Sequence, residues 1–380
     1  MPKNIVLCCD GTANEFVGHP TNVLRLFASL DHDPGRQIAY YHPGLGTMEA
    51  AGALTHAARW TTKLLGKAFG YGLERDVRDA YVFLMRHYED GDTVFLFGFS
   101  RGAYTVRVLA ALLRAVGLMH AGNEPLVPYA IRLLKSRWDP SAEDQAGAES
   151  GKVWFARTGE FKNTFSHGDC RPHFVGVWDT VNSVGWFANP LRVPYTTSNG
   201  HIAVARHAVA IDERRAFFQP LLWPNAPTGS RERIGDLKEV WFPGVHSDVG
   251  GGYPDKENGL AKVSLAWMLR EADSAGLCID PAKMDRQLGV GSSPFSPPDV
   301  QGVLHESLTA GWWPAQFVPK RVSRRVQDGP KTTWRREWRL APFSRRAFPK
   351  GEAVLIHASA YLRGAEYARR LPQEDVVRVS

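Results

Sequence analysis

With 380 residues, 44% hydrophobic and 22% charged, the chain has globular composition and length for one large α/β domain with insertions, or for two domains. No run of eighteen apolar residues occurs, which excludes a transmembrane helix, and the apolar run after Met1-Pro2-Lys3 is too short for a secretory signal. The net charge of +7 is uneven: eleven basic and two acidic residues lie between Lys320 and Lys350, a local +9 that leaves −2 for the rest, so a uniform nucleic-acid-binding surface is disfavoured.

In chain order, Asn4–Cys9 (NIVLCC) is a continuous apolar run closed by Asp10-Gly11-Thr12, which predicts a buried strand with a tight exit turn. Gln37–His42 predicts a second strand. From Glu74 to Tyr88, Val77, Tyr81, Leu84, Met85 and Tyr88 recur at helical spacing. Asp90-Gly91-Asp92 turns the chain into a strand over Thr93–Phe99 (TVFLFGF), and an apolar helix follows over Arg101–Val116, stopped by Gly117. Strands apolar on both faces that alternate with helices predict a mostly parallel sheet covered on both sides. Residues 121–170 break the rhythm and are expected to be an insertion in a single domain spanning 1–380. His173–Trp178 returns to a strand, ending at Asp179. His201–Ile211 has helical spacing in Ile202, Ala205 and Val209. Glu239–Val245 is the next strand, with Pro243 placing its end near an edge or a bulge. Gly259–Ala275 predicts a helix stopped at Gly276, and Ala353–His357 a late strand. The four cysteines have no C-x-x-C spacing, and Cys8 and Cys9 face opposite sides of their strand. A reduced, cytoplasmic environment is expected, with leaderless export left open.

The sharpest chemical feature is Gly98-Phe99-Ser100-Arg101-Gly102. A G-x-S-x-G pattern arises by chance in roughly one chain in ten of this length, but here it joins an apolar strand to an apolar helix. In that setting the glycines permit a strained turn that holds the serine hydroxyl above the sheet edge, and the helix N-terminus offers N–H groups to an oxyanion. The bland alternative is a serine that caps the helix. A serine nucleophile needs a base, and the base an orienting carboxylate. Asp179 and His246 end two further strands, so the chain order is Ser100, Asp179, His246. His357 ends the late strand and rivals His246 as base, whereas His207 reads as a packing residue. Gly11 and Thr12, with Arg101, are candidate oxyanion-hole donors through their backbone N–H groups. Asp248 is a candidate for supporting the histidine, or, with Asp10 and Asp179, for holding a divalent cation such as calcium. Gly250–Gly252 lack the Lys-Ser/Thr ending of a P-loop. No organic cofactor is implied.

Near the C-terminus, a basic segment at 310–350 carries Trp312, Trp313, Trp334 and Trp338 among its arginines. Arginine with tryptophan suits the head-group region of an anionic membrane. A solvated loop with Arg stems lying over the indoles is the alternative.

Several longer motifs occur in a fixed order: Cys9-Asp10-Gly11-Thr12, Gly98-Phe99-Ser100-Arg101-Gly102-Ala103-Tyr104, Val177-Trp178-Asp179-Thr180-Val181, His207-Ala208 with Asp212-Glu213-Arg214-Arg215, and Phe242-Pro243-Gly244-Val245-His246-Ser247-Asp248-Val249-Gly250-Gly251-Gly252-Tyr253. In these the chain resembles the DUF2235 group of α/β-hydrolases, which includes the Tle1-like phospholipase effectors of the type VI secretion system. The motifs span residues 5 to about 276, so the resemblance is to the catalytic domain. It implies an α/β-hydrolase fold, a Ser–Asp–His triad matched here by Ser100, Asp179 and His246, and hydrolysis of lipid or other acyl esters. A non-catalytic lipid- or partner-binding module and a metal-dependent hydrolase remain the alternative expectations.

Overall fold

The apolar runs become strands where expected: β1 (Asn4–Cys9), β2 (Gln37–His42), β3 (Thr93–Phe99) and β4 (Pro172–Trp178). Then follow β5 (Val204–Ala210), β6 (Asp236–Phe242), β7 (Val354–His357) and β8 (Val376–Val379). The computed structural model describes residues 2–11, 19–44, 68–136, 147–168, 170–181, 185–186, 189–190, 193–216, 218–223, 233–317, 320–328, 331–339, 344–349 and 353–380. All eight strands join one sheet in the order β2-β1-β3-β4-β5-β6-β7-β8, and every neighbouring pair is parallel. The fold is that of an α/β-hydrolase. The strand order reverses at β1, which opens a crevice at the carboxyl ends of β1 and β3.

Helices cover both faces. On one lie α2 (Ala68–His87) and α3 (Arg101–Val116), and the insertion adds α4 (Val127–Lys135) and α5 (Gly147–Phe165) to the same layer. The insertion is therefore a packed part of the core: Trp154 is buried and its indole N–H donates to the Leu133 carbonyl at 2.8 Å. On the opposite face lie α1 (Asn22–Ala28) and α7 (Gly259–Ser274), with α8 (Pro281–Gln287) against α1. Cys8 and Cys9 point into these two different cores, as strand alternation requires.

Three expectations need correction. Residues 204–210 are a central strand, not part of a helix. VARHAVA is buried on both faces, and in such a strand apolar residues occur at every spacing, so the helical pattern carries no information. Strand β6 is internal, lying between β5 and β7, and Pro243 stands just past its last paired residue, where no ladder hydrogen bond is needed. The basic segment is not a loop: Lys320–Asp328 and Lys331–Arg339 pair as an antiparallel hairpin outside the main sheet. Among the described residues no helix is long and apolar enough to cross a membrane.

Candidate active site

Strand β3 runs directly into Ser100, which stands before the first turn of α3 with φ 57° and ψ −115°. A residue with a Cβ is strained there by about 1–3 kcal/mol. The flanking glycines make the turn possible. A Cβ on Gly98 would lie 2.5 Å from the Gly102 carbonyl oxygen, and one on Gly102 would collide with the carbonyl of Cys9 at the end of β1. The turn is thus seated against β1, at the point where the strand order reverses. Ser100 stands at the N-cap of α3 but its hydroxyl makes no capping bond; it lies 2.8 Å from Nε2 of His246.

His246 opens the short helix α6 (His246–Gly250) just beyond β6. Its ring is buried between Phe99 and Phe218, with centroids 4.6 and 4.9 Å away. Nδ1 stands 2.6 Å from Oδ2 of Asp179, which follows β4 at φ 40° and is fully buried. With the proton on Nδ1 donated to the carboxylate, Nε2 is left to accept from the serine.

Asp179 is held from every side. Arg346 forks onto it, with guanidinium nitrogens 2.5 Å from Oδ1 and 2.9 Å from Oδ2, and the Ala210 N–H donates to Oδ1 at 3.0 Å. Arg346 also donates to the carbonyls of Ala210 and Phe218, and its side chain is only 1% exposed. Burial by itself would push the Asp179 carboxyl up. Arg346 and His246 outweigh it and hold the group well below the usual carboxylate range. For His246 the balance tips the other way: burial lowers its pKa, more than Asp179 raises it. Asp179 is therefore charged and His246 neutral at pH 7, the protonation states a general base requires.

The end of β5 secures the turn that carries His246. Oε2 of buried Glu213 accepts from the His246 backbone N–H at 3.2 Å, and the same carboxylate takes Arg215 and the Ser307 hydroxyl. Burial alone would raise Glu213, but Arg215 wins and holds it at about 2. Neighbouring Asp212 accepts from Gly244 N–H at 2.8 Å and from Tyr367 and Arg370. The two carboxylates pin the turn at Gly244 and at His246. From β5 itself, buried His207 accepts from Thr180 N–H at 3.1 Å and pairs with Glu239 at 2.8 Å, which fixes the backbone next to Asp179.

The remaining predicted residues lie elsewhere. His357 bonds the Ser359 hydroxyl at 2.8 Å and stacks on Phe242, and burial, aided by Arg270, depresses its pKa to about 4. The histidine brought to Ser100 is His246. Asp248 accepts from Val245 N–H at 3.0 Å and pairs with His305 at 2.6 Å, so it supports the His246 turn through the backbone rather than the ring. Asp10 ties β1 to Tyr41 of β2 and to Thr21, the N-cap of α1. Asp10, Asp179 and Asp248 end on separate partners and do not converge, and no other metal-like cluster occurs among the described residues. Arg101 is the first residue of α3, directly after Ser100. The Gly11 N–H is directed to Asp10 at 2.7 Å, and Thr12 lies outside the described residues. Sequence reasoning missed Arg346 and the roles of Asp212 and Glu213. The second pair stood in a quoted motif without a function; Arg346 was one arginine among many.

The chain matches the family model described as T6SS, phospholipase effector Tle1-like, catalytic domain, over residues 3–271. It is 36% identical over 232 residues to the uncharacterized protein YEL023C of Saccharomyces cerevisiae, covering 59% of this chain and 33% of that protein. A crystal structure of an uncharacterized protein from Pseudomonas aeruginosa is 19% identical, with TM-score 0.42, covering 74% of this chain and 47% of the other. The Tle1 effector in its structure bound to the VgrG spike of the type 6 secretion system is 18% identical, with TM-score 0.34, covering 68% and 53%. The chain thus spans a third of the yeast relative and about half of each solved chain.

Proposed function

The chain belongs to the Tle1-like phospholipase effector catalytic-domain family, and on that premise we propose that it is a serine hydrolase of carboxylic esters, with lipid esters as the leading substrate class. The observation that carries the reading is the continuous chain from the Ser100 hydroxyl through both nitrogens of His246 to Asp179. Ser100 attacks the acyl carbonyl as His246 Nε2 takes its proton, and the same nitrogen later protonates the departing alcohol; water then releases the acyl group by the reverse relay. Asp179 holds the imidazole in the Nδ1–H tautomer and stabilises the imidazolium. Arg346 fixes the plane of that carboxylate by its fork. The oxyanion is assigned to the Arg101 N–H at the start of α3; the Gly11 N–H, expected as a second donor, is instead given to the Asp10 carboxylate.

The test is a fluorophosphonate probe on the folded protein, with the adduct located by peptide mass spectrometry. The expected outcome is a label on Ser100, lost in Ser100→Ala together with turnover of acyl esters. Folded protein that takes no label, or an unchanged ester turnover in Ser100→Ala, defeats the proposal.

A further inference from the structure

The basic hairpin lies beyond the residues matched by the family model, and its register sorts its composition. Trp338 stands opposite Arg321, Arg336 opposite Ser323, and Trp334 opposite Arg325. Paired residues, and alternate residues along a strand, share a face. Both hairpin tryptophans and three arginines therefore occupy positions of one face, which carries no carboxylate. Asp328 and Glu337 fall on the other face.

Described residues on both sides of the hairpin in the chain touch the candidate site. On one side, Trp312 packs edge-on against Phe218 at 5.7 Å, and Phe218 packs edge-on against His246. On the other, Arg346 forks onto Asp179. Between Trp312 and the hairpin, Trp313 and Phe317 are 54% and 57% exposed. The exposed aromatic residues Trp313 and Phe317 and the cationic, tryptophan-bearing hairpin thus lie in the chain between two residues that touch the site proposed to cleave an ester.

We propose that the hairpin face containing Arg321, Arg325, Arg336, Trp334 and Trp338 docks the protein on a bilayer bearing anionic phospholipid. The arginines gain from the negative surface potential and the indoles from the head-group boundary. The choice of lipid as partner rests on the proposed ester hydrolysis, so binding and turnover are measured separately.

The full chain carrying Ser100→Ala, which cannot consume the vesicles, is floated with phosphatidylcholine vesicles with or without phosphatidylglycerol. Binding is expected only to the anionic vesicles and is expected to weaken with salt. Arg321→Ser/Arg325→Ser/Arg336→Ser should lower partitioning about 100-fold, since each cation at an anionic surface contributes roughly fivefold. Lys320→Ser/Arg324→Ser/Arg335→Ser removes the same charge from the opposite face and should cost less than tenfold. Trp334→Ser/Trp338→Ser should weaken binding with no change of charge. Equal losses from the two arginine faces, no binding by folded protein, or duplex DNA bound as tightly as vesicles and indifferent to the tryptophan change would each overturn the proposal. Turnover of a soluble short-chain ester, measured with Ser100 intact, should stay unchanged in all three hairpin variants. That readout separates a failure of docking from a failure of the hydrolase reading.

Discussion

Replacing Arg346 by methionine removes the fork from Asp179 and keeps most of the side-chain volume. The carboxylate remains fully buried, with His246 Nδ1 and the Ala210 N–H as its surviving partners. Deleting one member of a buried ion pair costs about 3–5 kcal/mol, so Arg346→Met should lower Tm by roughly 4–6 °C for a chain of this length. The catalytic effect has two parts. A carboxylate free to rotate no longer orients the imidazole, and a misplacement near 1 Å costs about 100-fold in rate. Loss of the cation beside the pair also favours protonation of both His246 and Asp179, so the acid limb of kcat/KM should move to higher pH. Arg346→Lys keeps the charge without the fork. It should leave the limb near its original position while losing part of the rate. Thermal denaturation and a pH profile of kcat/KM on a soluble ester measure both effects. A variant with unchanged Tm and kcat/KM within twofold refutes the clamp. A drop in rate with an unmoved acid limb refutes the electrostatic part.

Other outcomes follow from the same geometry. His246→Ala should abolish ester turnover and His357→Ala should preserve most of it, because only the former reaches Ser100; comparable activity in His246→Ala and the unaltered protein overturns the choice of base. Wild-type kcat/KM should fall only below the ordinary histidine range near pH ~6.5, since burial depresses His246. Stability should fall in the same direction: below that pH the unfolded chain takes up the histidine proton before the folded one does. Asp179 and Glu213, both depressed, contribute stability that is present above the usual carboxylate range and is lost as pH falls through their folded values. A pH–Tm curve flat from neutrality to pH ~4, where ordinary carboxylates begin to titrate, contradicts this. Glu213→Ala should cost about 3–5 kcal/mol, by stranding Arg215 and loosening the His246 turn, and lower kcat more than it raises KM; an effect confined to KM argues against that anchor.

Local patterns carried the Ser100 turn and the strands around it. TVFLFGF followed by Ser100 and an apolar helix specifies a strand, a glycine-flanked turn and a helix within a few residues, and the structure has all three. The chain order of Ser100, Asp179 and His246 was legible because each residue closes an apolar run, and a parallel sheet gathers such ends along one edge. Periodicity failed at β5, where VARHAVA is buried on both faces and spacing cannot tell a buried strand from a helix. The choice between His246 and His357 was tertiary, since both end strands and only the fold decides which ring reaches the serine. Arg346 marks the limit most clearly. It lies 167 residues from Asp179 in sequence, in a segment whose composition pointed to solvent or membrane. A charge enters a protein core only opposite a specific counter-charge, and that partner is set by how the chain folds back, which no local pattern encodes.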